Sequence, residues 1–283
     1  MTHDPPEIVS DIQHYYDKNT MRFLKYGNGI SALAIHQPLY APGVYTKMEA
    51  ADYINDLIYQ QIISNCKQNS IQYIIDLGCG VGGSLLSLSK KLKFIGVGLT
   101  ISVNQALFAQ NNYKNSDNKN KIYFIVANYL QIPLLAKYNI AYAIESFVHN
   151  TNPDGFFSEL SSYLNDNGLL IICDDFLSDS KSILSKNDHF WINKFKNGWH
   201  ISALMRINEI RSIAEKNKFE IINEKDLTPY LKYGIYIPRF IFKLLGHISI
   251  HTPFWNNISG GSARQICIKK SLIKYKMLTF RKK

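Results

Sequence analysis

The sequence has few cysteines and no long apolar run. Its 283 residues include four cysteines with no Cys-x-x-Cys pair, which excludes a zinc ribbon or a disulfide scaffold and predicts a reduced, cytoplasmic setting. The most apolar stretch, 233–250, is interrupted by Pro238, Arg239, Lys243 and His247, so no membrane-spanning helix is predicted. The opening MTHDPPEIVSD lacks the basic and apolar regions of a secretory signal, and none is predicted.

Charged residues are also scarce, but their balance is basic. They make up 19% of the chain, and 32 Lys and Arg against 22 Asp and Glu give a net charge of +10. A basic balance suits an acidic substrate, an anionic membrane surface or nucleic acid. The sequence contains no ribonucleoprotein motif, helix-turn-helix signature or catalytic NPPY, so we expect no nucleic-acid partner. Peripheral membrane contact and a homo-oligomer stay open.

Apolar strands alternate with helices in the middle of the chain. Strands are predicted at 71–76, 93–98, 121–128, 138–146 and 168–176. This alternation is typical of a parallel sheet covered on both faces. The hydrophobic fraction of 46% predicts a packed core, and the aromatic fraction of 13% suits a pocket lined by rings.

The two ends of the chain have a less regular pattern. Helices are predicted at 8–26 and 46–66, before the first strand. After the fifth strand the periodicity is lost over 177–199, and an aromatic insertion follows at 229–258. Between these segments a helix is predicted at 206–217 and a strand at 219–228, and 262–280 is predicted to be a closing strand or hairpin.

The first strand runs into the glycine-rich turn DLGCGVG, which opens a helix. Glycines there allow a tight turn and a close approach of the backbone to a ligand. Gly78, Gly80 and Gly83 also satisfy the GxGxxG spacing of dinucleotide sites, so NAD is the competing ligand. However, about 70 residues precede this strand, and Asp76 would repel a pyrophosphate but suit an ammonium group. We therefore favour S-adenosylmethionine.

Two motifs then resemble a known family. IIDLGCGVGG is similar to the first motif of class I S-adenosylmethionine-dependent methyltransferases. GLTISVNQ, at 98–105, resembles the turn of the branch that contains tocopherol, sterol and geranyl-diphosphate C-methyltransferases and cyclopropane-fatty-acid synthases. The resemblance covers about 70–230. It implies a methyltransferase with an α/β fold, a Rossmann-like seven-stranded and mostly parallel sheet with helical cap segments.

The resemblance also implies how the chain is organised and which residues bind the cofactor. We expect one functional unit with an N-terminal helical cap at 1–69, a cofactor-binding core at 70–180, and the rest of the core with an inserted aromatic cap at 181–283. Thr100 and Asn128 take the places of the acids that usually meet the ribose and the adenine. The implied cofactor residues are Asp76, Gly78, Cys79, Gly80, Gly82, Thr100, Ser102, Gln105, Asn128 and Tyr129.

The catalytic candidates follow the fourth strand. ESFVH, at 145–149, resembles the E-S-x-x-H of the same branch. Methylation of an alkene carbon leaves a carbocation, which needs a carboxylate for stabilisation and a base to remove a proton. We expect Glu145 to be that carboxylate, because strand ends point into the ligand crevice, and we name His149 as a second catalytic candidate.

Aromatic and histidine side chains in the cap segments are the candidates for the substrate site. They would wall an apolar pocket and face a cation. The set is Tyr15, Tyr16, His36, Phe195, Trp199, His200 and Tyr230. Arginines that could clamp an anionic head group are Arg22, Arg206, Arg239 and Arg264.

These patterns favour C-methylation of an isoprenoid or a prenyl diphosphate, a small apolar acceptor with an anionic head. Mg²⁺ would join the site if the acceptor is a diphosphate. N- or O-methylation of a small metabolite is the alternative. A basic RNA-modifying protein and a fold that has lost its cofactor are weaker readings of the same sequence.

Overall fold

The chain folds around one mixed sheet. The structure, a computed structural model, describes Gln13, Tyr16, Asp17 and Thr20 and the ranges 33–66, 72–180, 183–232 and 253–283. The strands are β1 Gln72–Leu77, β2 Phe94–Thr100, β3 Lys121–Val126, β4 Tyr138–Ile144, β5 Leu164–Leu177, β6 Phe219–Asp226 and β7 Ile273–Lys282. Their order is β3-β2-β1-β4-β5-β7-β6, in which β7 is antiparallel to both neighbours and the other pairs are parallel. The predicted fold class is confirmed.

Helices cover both faces of this sheet. They are α1 Lys47–Asn65, α2 Gly83–Leu88, α3 Val103–Lys114, α4 Pro153–Tyr163, α5 Lys186–Trp199, α6 Ile207–Lys216 and α7 Pro253–Lys269. Helix α3 packs on β2 and β3, α1 packs on α2 and β5, and α5 packs on α7. Within the described ranges, no helix is both long and apolar enough to cross a bilayer.

Side chains alternate between two apolar layers along the central strands. Ile74 and Tyr142 enter one layer, whereas Ile75 and Ala141 enter the other. A strand buried on both faces reads as a continuous apolar run, which is why the sequence predicted these strands.

Two helices differ from the prediction made from the sequence. The region 177–199, where periodicity seemed lost, contains α5, which starts with a Ser185 capping box and buries Trp191 and Phe195. The prediction of a closing strand or hairpin at 262–280 is wrong in its first half, because α7 continues to Lys269 and the strand begins at Ile273. The apolar run around Ile266 has the composition of a strand, but packing against α5 selects the helix.

The sheet order creates a crevice at one edge. Strands β2 and β4 lie on opposite sides of β1, so the chain leaves the carboxyl end of β1 at the point where the strand order reverses. In open parallel sheets ligands bind at such a switch point. The glycine-rich turn after β1 lies there.

Candidate active site

A cavity of about 160 Å³ opens over the carboxyl ends of β1, β2 and β4. We call it the glycine-turn cavity. Eight of the ten predicted cofactor residues line it, namely Asp76, Gly78, Cys79, Gly80, Thr100, Gln105, Asn128 and Tyr129. The other two are not among its lining residues: Gly82 precedes α2 beside Phe124, and Ser102 caps α3.

The glycine turn leaves its backbone open to this cavity. Gly78 and Gly80 have φ angles of +92° and +51°, which side chains rarely adopt. The N–H groups of Gly78 and Cys79 both donate to the carbonyl of Leu99, at 2.9 and 2.7 Å, and hold the turn against β2. A Cβ placed on Gly80 would point towards Ile35 Cδ1, 3.4 Å away on the far wall. A ligand can therefore lie directly on the turn.

Asp76 gives this cavity a buried carboxyl group. Only 2% of the residue is exposed. Burial raises the pKa of the carboxyl to about 8, against a smaller opposing effect of the Tyr142 hydroxyl. An ammonium group beside Asp76 would reverse this by stabilising the carboxylate. The site therefore suits the ammonium end of S-adenosylmethionine.

Polar side chains after β2 are joined to the N-terminal segment. The Thr100 hydroxyl donates to Gln105 Oε1 at 2.8 Å, and Gln105 Nε2 donates to Thr20 Oγ1 at 3.1 Å. The Ser102 hydroxyl donates to the carboxylate of Asp17. These bonds orient the Gln105 amide at the wall of the cavity.

Asn128 and Tyr129 form the wall beyond β3. Asn128 Oδ1 accepts the N–H of Leu130 at 2.9 Å, and the Tyr129 hydroxyl donates to the carbonyl of Ser146 at 3.0 Å. The Asn128 amide thus keeps its N–H donors and the second lone pair of Oδ1 for another partner.

Glu145 is held in an uncommon backbone conformation at the end of β4. Its φ is +49°, a region that costs a residue other than glycine about 1–3 kcal/mol and that clusters at functional sites. Its N–H donates to the carbonyl of Cys173 at 2.9 Å, and its Oε1 accepts the N–H of Gln37 at 2.8 Å. Burial raises the pKa of Glu145 to about 7, although nearby Arg264 lowers it.

His149 forms a direct pair with Tyr16. The Tyr16 hydroxyl lies 2.9 Å from His149 Nε2, and the two rings meet edge to face at 5.7 Å. His149 Nδ1 lies 3.1 Å from the carbonyl of His200. Burial lowers the pKa of His149 to about 4, so the ring is neutral at pH 7. Because a carbonyl can only accept, Nδ1 carries the proton and Nε2 accepts from Tyr16.

A second cavity of about 330 Å³, the adjoining cavity, shares a wall with the first. The residues that line both are Tyr16, Ile35, His36, Glu145 and His149. Trp199 lines the adjoining cavity but not the glycine-turn cavity. Burial lowers the pKa of His36 to about 4, so this histidine too is neutral. A group placed at the shared wall would reach both spaces.

The remaining predicted substrate residues lie elsewhere. Phe195 is fully buried in the apolar core, and Tyr230 packs edge to face on Tyr53. His200 ends α5 in a left-handed conformation and contributes its carbonyl to His149. Tyr15 lies outside the described residues, as do the candidate clamps Arg22 and Arg239.

The adjoining cavity also contains residues that the sequence did not single out as site residues. Asp174 and Asp175, at the end of β5, line it, and Asp175 receives both Nε and Nη2 of Arg264, at 2.5 and 3.0 Å. The guanidinium carbon lies over the rings of Trp199 and Tyr275, 5.7 and 5.5 Å from their centroids. Arg264 therefore neutralises Asp175. Other lining residues that the sequence did not single out include Gln37, Pro38, Ile201 and Asn257.

The carboxyl and imidazole groups do not form an obvious metal centre. Within the ranges that the structure describes, no three His, Cys, Asp or Glu side chains cluster so as to hold a metal ion.

Arg206, another predicted clamp for an anionic head group, donates to the carbonyl of Ser178 and pairs with Asp179.

Curated relatives of this chain include O- and C-methyltransferases. An O-methyltransferase of Pyrenophora dematioidea is 23% identical over 65% of this chain and 67% of its own length. A 24-methylenesterol C-methyltransferase 2 of Oryza sativa subsp. japonica is 27% identical over 54% of this chain and 43% of its own. Except for the Pyrenophora protein, the chain spans about half the length, or less, of the first curated relatives it matches.

Solved structures share the whole fold. The mycolic acid cyclopropane synthase CmaA1, complexed with SAH and CTAB, aligns over 99% of both chains with a TM-score of 0.76 and 18% identity. A geranyl diphosphate C-methyltransferase from Streptomyces coelicolor A3(2), in complex with Mg²⁺, geranyl diphosphate and S-adenosyl-L-homocysteine, aligns over 100% of both with a TM-score of 0.70 and 16% identity.

The family assignment rests on the sequence core. The profile of the mycolic acid cyclopropane synthetases matches residues 47–234, more than half of the chain, which include the glycine turn, Glu145 and His149. The chain therefore belongs to the mycolic acid cyclopropane synthetase family and is an S-adenosylmethionine-dependent methyltransferase.

Proposed function

We propose that the enzyme methylates an alkene carbon of a small isoprenoid-like acceptor. The observation that carries this proposal is the position of Glu145, a residue that lines both cavities. Similarity to sterol C-methyltransferases and to the fold of geranyl diphosphate C-methyltransferase supports the acceptor class.

Glu145 has the chemistry that this reaction needs. When bound, S-adenosylmethionine supplies a methyl group on a positively charged sulfur. Attack by the alkene leaves a carbocation on the acceptor, which the Glu145 carboxylate stabilises before it takes the proton whose loss restores the double bond. The hydrogen bond that the N–H of Gln37 donates to Glu145 Oε1 orients the carboxyl group.

The walls of the adjoining cavity suit an apolar acceptor. Ile35, Pro38, Val148, Trp199 and Ile201 contribute apolar surface to it. The rings of Tyr16 and Trp199 can face a developing positive charge.

An anionic head group would need further partners. The guanidinium of Arg264 is already bound to Asp175, so it is not available as a phosphate clamp. We propose that the adjoining cavity binds the apolar portion of the acceptor. A diphosphate acceptor would have to bring its Mg²⁺ with it, because the described residues contain no cluster of metal ligands.

The variant Glu145→Gln tests this role. We expect it to slow methylation about 100- to 10,000-fold, because the amide is nearly isosteric but cannot take a proton. S-adenosylhomocysteine affinity, measured by calorimetry, should change by less than about threefold. Geraniol, geranyl diphosphate and an apolar terpene would serve as acceptors, with a deuterated methyl donor and mass spectrometry of the products.

Glu215→Gln is the matched control, because Glu215 is exposed on α6. Full turnover by Glu145→Gln would contradict the role of Glu145. A panel in which no alkene carbon becomes methylated would contradict the proposed reaction itself.

A further inference from the structure

The hydrogen bond between the Tyr16 hydroxyl and His149 Nε2 has no task in the proposed alkene methylation. We propose that this Tyr16–His149 pair gives the same pocket a second activity, the methylation of a hydroxyl or amine acceptor whose proton it removes. This proposal rests on the proposed function for the methyl donor and for the shared pocket, but it uses different residues.

The hydrogen bonds fix the direction in which a proton can move. The carbonyl of His200 holds the proton of His149 on Nδ1, 3.1 Å away, and leaves Nε2 as an acceptor. The Tyr16 hydroxyl, 2.9 Å from Nε2, must therefore point its own proton at His149. A phenol that donates its proton in this way can also accept one, so an O–H or N–H of an acceptor could pass its proton to the Tyr16 oxygen.

Both members of the pair lie where the two cavities meet. Tyr16 and His149 line the glycine-turn cavity and the adjoining cavity alike. An acceptor that reaches this boundary from the adjoining cavity would lie against Tyr16 and His149, with its reacting atom towards the glycine-turn cavity.

The transfer balances in protons and charge. The acceptor heteroatom forms a bond to the donor methyl carbon as the carbon–sulfur bond breaks, and its electron pair stays on sulfur. The acceptor proton moves to the Tyr16 oxygen, and the Tyr16 proton moves to His149 Nε2. The products are the methylated heteroatom, neutral Tyr16 and an imidazolium, which releases its proton to water.

Burial keeps His149 neutral until the positive charge on sulfur is lost. Desolvation disfavours a positive charge on His149, which keeps the ring neutral before the reaction. During transfer, one positive charge disappears from sulfur as one appears on His149. The net charge of the buried pocket is therefore unchanged by the reaction. His149 can accept a proton as the methyl group leaves, because the positive charge on sulfur is lost in the same step.

The pair can be tested first without any reaction. In ¹⁵N NMR spectra of the labelled protein near pH 7, we expect His149 to show a protonated Nδ1 and a hydrogen-bonded, unprotonated Nε2. Tyr16→Phe should shift the Nε2 signal to that of a nitrogen without a hydrogen bond. Tyr45→Phe is the control, because Tyr45 is 84% exposed. A protonated Nε2 in the unaltered protein would overturn the relay.

Activity then tests the acceptor class. With p-cresol, catechol and phenethylamine as acceptors, we expect methylation of oxygen or nitrogen, and a loss of about 100-fold or more in both Tyr16→Phe and His149→Gln. The double variant should be no slower than either single one, since the two groups act as a unit. His189→Gln is the second control, because His189 is exposed on α5.

Each outcome separates this proposal from the first one. Methylated alkenes without any methylated heteroatom would overturn the second activity and leave the proposed function intact. Heteroatom products that persist in Tyr16→Phe and His149→Gln would overturn the role of the pair. Heteroatom products alone would support the pair and contradict the C-methylation proposal.

Discussion

At the scale of single residues, burial makes two carboxyl groups dependent on a cation. Desolvation raises the pKa of Asp76 to about 8 and that of Glu145 to about 7. Without a neighbouring positive charge, Asp76 is largely protonated at pH 7. A ligand that carries ammonium and sulfonium charges would stabilise both groups as carboxylates. The negative charges of the pocket are therefore balanced only when the methyl donor is bound.

Asp76→Asn should change how stability depends on pH. The pKa of Asp76 lies far above the ordinary 3.8, so between about pH 4 and pH 8 the folded protein holds a proton that the unfolded chain has released. The free energy of unfolding therefore falls as pH rises through this window, by up to about 1.4 kcal/mol per pH unit. Asp76→Asn lacks this loss, so its stability relative to the unaltered protein should increase with pH.

Urea unfolding at pH 5, 7 and 9 measures this difference. Asp117→Asn, at an exposed position, is the control. Parallel pH profiles for Asp76→Asn and the unaltered protein would show that Asp76 is ionised without a ligand.

At the scale of secondary-structure elements, the contact of α5 with α7 brings cap residues to the cavity. Gly198 on α5 faces Gly260 on α7, and a Cβ on Gly198 would lie 2.5 Å from Gly260 Cα. This close approach places Trp199 where its indole N–H donates to the carbonyl of Asn257 at 3.1 Å. Both residues line the adjoining cavity.

Gly198→Ala should separate these helices. Alanine in a helix is normally about 1 kcal/mol more favourable than glycine, but here its methyl group meets backbone atoms. We expect a loss of about 1–3 kcal/mol in unfolding free energy, measured by urea denaturation. Gly261→Ala, whose Cβ would meet Trp199 Cζ2 at 3.4 Å, should be neutral or stabilising. Equal stabilities of the two variants would contradict the close contact.

At the scale of the whole molecule, one buried ion pair ties the last helix to the sheet. Asp175 on β5 and Arg264 on α7 are 89 residues apart, and their side chains are only 6% and 5% exposed. Such a pair is costly to break on one side, because the remaining charge stays buried without a partner. It therefore couples the position of α7 to the adjoining cavity.

Arg264→Met should destabilise the protein by about 3–5 kcal/mol, since it leaves Asp175 charged and unpaired. The double variant Asp175→Asn with Arg264→Met should recover most of that loss, because neither charge remains. Lys216→Met is the control. Its pair with Asp154 is 70% and 48% exposed, and its removal should cost at most about 1 kcal/mol. A double variant as unstable as Arg264→Met would contradict this account.

The sequence alone determined the central sheet, the glycine turn and the place of Glu145. These features depend on local patterns: continuous apolar runs form strands buried on both faces, and a glycine turn between a strand and a helix allows positive φ angles. The place of Glu145 followed because the carboxyl ends of parallel strands meet at one edge. Family and cofactor followed from the same local motifs.

Only the tertiary structure decided which distant side chains meet. Tyr16 and His149 are 133 residues apart, and neither carries a local signal for the other. Phe195 and Trp199 were equal candidates in the sequence, yet packing sends the first into the core and the second to the cavity. The identity of α7 as a helix was likewise decided by α5 across the contact. Such choices depend on which surfaces pack together, and a one-dimensional pattern does not encode them locally.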